Sequence, residues 1–291
     1  MTESAAQPEA SGIPSRVGVL GGGRMGAGIA HAFLVSGAHV TIVERDDAAA
    51  GAAQERVATT LAKAVEKSAV TEGLDVLLGR FTVSTEAADF GDVGLVVEAV
   101  PEDFALKQDA LHNVERNVGP DAWIATNTSS LSITRLAASL TKPDRLFGMH
   151  FFNPVPSSVL VEIVLGGDSS SQLAGIAAGW VRALGKTPIV VQDTPGFASS
   201  RLGLVIALEA MRMLEDGVAS AADIDTAMEL GYRHAAGPLR TTDIVGLDVR
   251  LGIAEYLHET LGDRFAPPRI LRDMVARGEL GRKSGKGFYD Y

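Results

Sequence analysis

The stretch Arg16-Val17-Gly18-Val19-Leu20-Gly21-Gly22-Gly23-Arg24-Met25-Gly26-Ala27-Gly28-Ile29-Ala30 decides the fold. Arg16 to Leu20 is a short β-type run, and Met25 to Ser36 suits a helix closed by Gly37. Between them Gly21, Gly23 and Gly26 stand in G-x-G-x-x-G spacing. Gly21 permits a tight turn, Gly23 lets the backbone approach a phosphate, and Gly26 allows close packing of helix on strand. The phosphates then sit at a helix N-terminus, where free N–H groups and the helix dipole favour anions. His39 to Glu44 is a second apolar strand, and Glu44 lies 18 residues after Gly26. At that distance an acid meets the adenosine ribose hydroxyls of a dinucleotide. The acid repels a 2′-phosphate and favours NAD; Arg45 beside it offers the opposite charge, which leaves NADP as the less favoured cofactor.

Working outward, residues 46 to 68 carry Val57, Leu61 and Val65 at helical spacing. Phe81 to Ser84, Val93 to Val100 and Trp123 to Asn127 read as strands, with a helix from Asp103 to Val118. Strand-like runs recur at Leu146 to Phe152, Val159 to Leu165 and Pro188 to Val191, with a helix from about Ser170 to Leu184. This alternation predicts an α/β fold, a Rossmann-type doubly wound and mostly parallel sheet. Beyond Asp193 the strand signal disappears. Helices are predicted over Phe197 to Asp216, from a Ser220–Asp223 capping box to Gly231, over roughly 241 to 261 and over 269 to 277. The expected organisation is a disordered tail over 1–13, a dinucleotide-binding domain over 14–192 and an all-helical C-terminal domain over 193–291. The closing Gly281-Arg-Lys-Ser-Gly-Lys-Gly-Phe-Tyr run is glycine-rich and basic, which suits either a frayed end or a segment folded over an anionic ligand.

Composition narrows the chemistry. A formal charge of −10 argues against nucleic acid and anionic membranes as main partners, because both demand basic stripes. Zero cysteines remove disulfides, thiolate metal sites and cysteine nucleophiles together. The six histidines show no paired ligand spacing, so no metal site is expected. Residues 1–13 lack the basic and apolar regions of a signal peptide, and no run is long enough to span a bilayer, so a cytoplasmic enzyme is the default expectation.

A nicotinamide needs a partner that takes the alcohol proton while hydride leaves carbon. His150 ends a predicted strand at the carboxyl edge of the sheet, where ligands of this architecture bind. Twelve positions later Glu162 stands between Val161 and Ile163, an acid inside an apolar strand and costly there unless paired. Pairing the two resolves both oddities, since the carboxylate would orient the imidazole for acid–base work. The remaining histidines, His31, His39, His112, His234 and His258, lack comparable company and read as structural or surface residues.

Leu20-Gly-Gly-Gly-Arg-Met-Gly-Ala-Gly-Ile-Ala, Val96-Val-Glu-Ala, Asn127-Thr-Ser-Ser, His150-Phe-Phe-Asn-Pro-Val-Pro, Asp193-Thr-Pro-Gly-Phe and the closing Gly281 to Asp290 run together resemble the L-3-hydroxyacyl-CoA dehydrogenases. The resemblance is nearest to the short bacterial 3-hydroxybutyryl-CoA dehydrogenases. It implies reversible oxidation of a 3-hydroxyacyl-CoA with NAD, His150 as base and Glu162 as its orienting acid. It also implies that Met25 in the glycine loop, Glu102, Lys107, Asn127, Ser129, Asn153 and Lys283 contact the cofactor, with Ser129 also near the substrate. Thr60 and Lys67 would contact CoA. Two departures stand out: Ser200 where an Asn usually bonds the substrate carbonyl, and His234-Ala-Ala-Gly-Pro in place of a bulkier Pro-Met pair, which implies a wider acyl pocket. The family also dimerises through its helical domain, which implies a homodimer.

Two other readings compete. A dehydrogenase of a free hydroxy acid or sugar acid would use the same His–Glu pair. Lysine-based relatives are disfavoured, since residues 193 to 216 hold neither Lys nor Asn. A non-catalytic NAD-binding protein would have no use for a buried acid–base pair.

Overall fold

The computed structural model describes residues 12–291. The tail expected over 1–13 lies almost wholly outside the described residues, while Ile13 packs against the core of the first unit. The glycine-rich unit begins with β1 (Arg16–Leu20), α1 (Arg24–Val35), β2 (His39–Val43) and α2 (Asp47–Glu66). Asp46 caps α2, its Oδ1 accepting the Ala49 N–H at 2.8 Å. Next come α3 (Leu74–Leu78), β3 (Phe81–Ser84), β4 (Leu95–Glu98), α4 (Phe104–Asn117), β5 (Trp123–Thr126) and α5 (Ile133–Ala137). The unit finishes with β6 (Leu146–Phe151), β7 (Leu160–Leu165), α6 (Leu173–Ala183) and β8 (Thr187–Gln192).

All eight strands form one sheet in the order β3-β2-β1-β4-β5-β6-β7-β8. Every neighbouring pair is parallel except β6 with β7, which run antiparallel. The doubly wound, mostly parallel sheet is therefore present. Strands β4 and β6 are buried along their whole length, as in sheets covered on both faces. The order reverses between β1 and β4, and this is the switch point at which such sheets bind ligands.

Several boundaries differ from the sequence expectation for identifiable reasons. The strand expected over 93 to 100 is only Leu95–Glu98. The Glu98 carboxylate captures the Val100 N–H at 2.7 Å and takes it out of the ladder, and Pro101 follows. Short helices α3 and α5 lie below the length at which periodicity is legible.

The first compact unit runs through Asp193 and the second spans Thr194–Tyr291. Asp193 belongs to the first because its Oδ2 accepts from Ser132 Oγ at 2.7 Å and Thr134 N at 2.8 Å. The second unit holds α7 (Ser199–Glu215), α8 (Ala221–Tyr232), α9 (Pro238–Val245), α10 (Leu247–Leu261) and α11 (Arg269–Ala276) around its own apolar core. The helix expected over 241 to 261 is thus two helices. Gly246, at φ +106°, breaks it, and Pro238 opens the earlier one. Likewise α8 ends at Arg233 in the left-handed region, two residues past the expected Gly231. The basic C-terminal run is neither frayed nor extended. Gly281 and Asp290 both bridge to Lys286, and the buried Asp243 carboxylate accepts the N–H groups of Phe288 and Tyr289 at 2.9 and 3.0 Å.

The glycine turn is the tightest point of the sheet. A Cβ on Gly26 would stand 1.8 Å from the Gly21 carbonyl oxygen, a backbone atom that cannot yield without moving the turn. Gly26→Ala is therefore expected to lower unfolding free energy by about 1–3 kcal/mol, read by urea denaturation followed by circular dichroism.

Candidate active site

At the carboxyl ends of β1 and β4 the structure opens a cavity of about 1060 Å³. Gly21, Gly23 and Met25 line it from the turn after β1, Glu44 from the end of β2, and Glu102 from the segment after β4. Asn127 and Ser129 enter from the end of β5, and His150 and Asn153 from the end of β6. Residues far apart in sequence converge here because each follows the C-terminal end of a neighbouring strand.

The turn fits a dinucleotide. Gly21 adopts φ +92°, which an L side chain rarely takes. A Cβ on Gly23 would meet no atom within 4 Å, so this face of the turn opens onto empty space at the N-terminus of α1. That is the cradle a pyrophosphate fills. Glu44 Oε1 accepts the Gly22 N–H at 2.7 Å and its Oε2 the Arg45 N–H at 3.1 Å, which fixes the carboxylate beside the turn. Arg45, the residue that kept NADP open, directs its Nε to Asp46 Oδ2 at 3.0 Å.

On the opposite wall, His150 and Glu162 are directly paired residues of the antiparallel β6–β7 ladder. Their side chains therefore share one face of the sheet, and Nδ1 of His150 lies 2.8 Å from Oε2 of Glu162. Glu162 is fully buried and His150 nearly so. Phe152 packs on the imidazole, with ring centroids 4.5 Å apart. Asn127 Oδ1 accepts the Phe151 N–H at 2.8 Å, which ties the end of β5 to the end of β6 and leaves the amide N–H groups for a ligand.

Glu102 organises the segment after β5. Its Oε1 accepts from Thr128 Oγ1 at 2.6 Å, Ser129 N at 2.9 Å and Ser130 N at 3.1 Å. Burial opposes its ionisation, yet the Lys107 ammonium and these hydrogen bonds outweigh it and hold the carboxyl below the usual glutamate range. Lys107 itself does not reach the cavity wall. It is 1% exposed and lies between Glu98 Oε1 at 2.7 Å and Glu102 Oε2 at 3.5 Å. Glu98 went unassigned in the sequence. The available signal was an acid in an otherwise apolar strand, the feature that singled out Glu162.

A smaller cavity of about 530 Å³ adjoins α2, with Thr60, Arg24, Arg56 and the Asn153–Pro156 segment in its wall. Arg24 and Asn153 line both cavities. Lys67 caps the C-terminus of α2, is exposed and lines neither. Ser200 and Lys283 belong to the second unit. Ser200 lies in the first turn of α7, and Lys283 Nζ is 2.6 Å from Asp248 Oδ2.

Residues 16–194 match the family model of the 3-hydroxyacyl-CoA dehydrogenase NAD binding domain, and residues 196–291 match that of the C-terminal domain. The chain belongs to the 3-hydroxyacyl-CoA dehydrogenase family. It is 41% identical over 280 residues to a 3-hydroxybutyryl-CoA dehydrogenase of Mycobacterium tuberculosis, covering 95% of this chain and 98% of that one. It is 36% identical over 284 residues to the mitochondrial hydroxyacyl-coenzyme A dehydrogenase of Rattus norvegicus, covering 94% and 90%. Among solved structures, the (S)-3-hydroxybutyryl-CoA dehydrogenase of Ralstonia eutropha superposes with a TM-score of 0.92 at 40% identity, over 96% of this chain and 99% of that one. In this chain the glycine turn stands at the switch point of the sheet, with Glu44 at the end of the neighbouring strand. Among the described residues no helix is long and apolar enough to cross a membrane.

The depressed Glu102 has a pH signature. Its contribution to stability is complete above the unfolded glutamate value of 4.5 and is lost as pH falls through the lower folded value. Denaturation midpoints between pH 5 and 3 should therefore fall more steeply for the parent than for Glu102→Gln, and parallel slopes would contradict the assigned shift.

Proposed function

We propose that this member of the family is an NAD-dependent dehydrogenase that interconverts a short (3S)-3-hydroxyacyl-CoA, 3-hydroxybutyryl-CoA above all, with its 3-oxo form. The observation that carries the reading is the buried His150–Glu162 pair in the wall of the cavity that also holds the glycine turn. NAD, held at the glycine turn and beside Glu44, would supply the hydride acceptor for the alcohol carbon. His150 takes the hydroxyl proton at Nε2, because Nδ1 is engaged by Glu162. Glu162 fixes the tautomer and the ring plane and stabilises the imidazolium that forms, and in the reverse direction the same imidazolium returns the proton.

The cofactor's pyrophosphate is assigned to the Gly21–Gly26 turn with Met25 beside it, and its adenosine ribose to Glu44. Glu102, Asn127, Ser129 and Asn153 line the remainder of the cavity and are assigned to the nicotinamide side. Lys107 acts from behind Glu102. Thr60 lines the smaller cavity and is assigned to the CoA moiety, with Lys67 at the end of the same helix as a charge near its phosphates. Ser200 and Lys283 are assigned from the family pattern alone, as a donor to the substrate carbonyl and as a cation for the cofactor. A homodimer through the helical unit accounts for its exposed Leu202, Leu230, Tyr232 and Ile244. We place the enzyme in the cytoplasm.

His150→Asn should lower kcat for acetoacetyl-CoA reduction about 10²–10⁴-fold while NADH binding stays within about twofold. Turnover at the parent rate would overturn the mechanism, and parent activity on free acetoacetate or a sugar acid but not on the thioester would overturn the substrate class. Light scattering at micromolar concentration should give twice the 30.4 kDa chain mass; a monomer would overturn the dimer.

A further inference from the structure

Glu98 has no role in the mechanism above, yet it is fully buried in a strand whose four residues are all buried. Both oxygens of its carboxylate are engaged. Oε1 accepts the Val100 N–H and the Lys107 ammonium, each at 2.7 Å, and Oε2 accepts the Thr126 hydroxyl at 2.6 Å. Lys107 also donates to the Val100 carbonyl at 3.1 Å. A buried ion pair is weak evidence for stability, because well-packed apolar side chains of similar volume usually hold a sheet as well. The pair therefore calls for another explanation, and the next contact supplies it. The ammonium is 3.5 Å from Glu102 Oε2, and Glu102 holds the Thr128–Ser130 segment in the cavity wall.

We propose that Glu98 is a positioning residue for the nicotinamide side of the cavity, acting through Lys107 on Glu102; the proposal rests on the reading that this cavity takes NAD. Two carboxylates compete for one ammonium, and Glu98 has the shorter contact. It holds Lys107 back in the sheet, so that Glu102 feels the positive charge without closing onto it. Glu102 can then keep Oε1 on the 128–130 segment, with Oε2 no nearer the ammonium than 3.5 Å. Without the Glu98 charge, the ammonium has Glu102 as its only carboxylate among these contacts and draws it off that segment. Cofactor affinity falls, while the His150–Glu162 pair, held by the β6–β7 register, is untouched.

The experiment is NADH titration by nucleotide fluorescence, with steady-state kinetics, on the full chain carrying Glu98→Gln, Lys107→Met or both. Gln keeps the shape at position 98 and removes the charge; its amide oxygen can still accept the Val100 N–H, while its amide nitrogen turns the contact with the Thr126 hydroxyl into one that position 98 donates. The expected result for Glu98→Gln is an NADH Kd and an NAD KM raised about tenfold, the size of one charge-assisted hydrogen bond, with kcat at saturating cofactor within about threefold. In the Lys107→Met background, Glu98→Gln should weaken NADH no further, because the charge it acts through is gone. An NADH affinity within about twofold of the parent, or the same fold loss in both backgrounds, would overturn the proposal. Should the single Glu98 variant not fold, the neutral double variant measured against Lys107→Met carries the same test. A parent chain that binds no NADH would overturn the cofactor reading itself and this inference with it.

Discussion

The antiparallel pairing of β6 with β7 is the constraint on which the site depends. In a purely parallel sheet the last strands would be joined by crossover helices, and residues adjacent in space would be far apart in sequence. Here a short reversal after His150 returns the chain as β7, and its register sets Glu162 directly opposite His150. A slip of one residue would turn Glu162 to the other face and leave a charged carboxylate buried without its partner. The acid–base pair and the strand register therefore enforce one another. Val161 and Ile163 bury the opposite face of the same strand in the core. The geometry of the His150–Glu162 pair is thereby tied to the packing of the whole unit.

At the switch point the cofactor side is built mainly from backbone. The turn from Gly21 to Gly26 has no room for side chains where it meets α1 and open space where a ligand would approach. That asymmetry is the physical content of the three glycine positions. Glu44 then completes the turn by accepting the Gly22 N–H, so the acid that would recognise ribose also stiffens the loop that would hold the phosphates.

Legibility in the sequence followed the length scale of each signal. The β1–α1–β2 unit was readable because its glycines and apolar runs obey local rules, and Glu162 because an ionised group in an apolar strand needs a partner. The break at Gly246 was not, since a glycine within a helical pattern is ambiguous until its φ is known. Glu98 and Lys107 were not recognised as partners. They are nine residues apart, on a strand and on the helix that follows it, and only the fold returns one onto the other. The arrangement of the basic C-terminal run was hidden for a related reason. Its charge is legible, but its partners are carboxylates that only the fold supplies: Asp243 accepts the Phe288 and Tyr289 N–H groups, Lys283 pairs with Asp248 and Lys286 with Glu279.

The same distinction between charge and contact governs how an acidic chain meets an anionic ligand. With a net charge of −10, the protein's long-range field opposes a dinucleotide and a thioester of CoA alike. Lys107 does not offset this, because the two carboxylates beside it leave that cluster negative. What remains is short-range. The N-terminus of α1 presents unsatisfied N–H groups equivalent to about half a positive charge, and Arg24 at its first position lines both cavities. Arg56 joins it in the smaller one. Solvent ions screen a diffuse surface field beyond about 8–10 Å but hardly touch donors in direct contact with a phosphate. Recognition by fixed backbone donors and two nearby guanidinium groups is therefore compatible with a strongly acidic surface. It also makes affinity depend on the shape of the turn more than on the protein's overall charge.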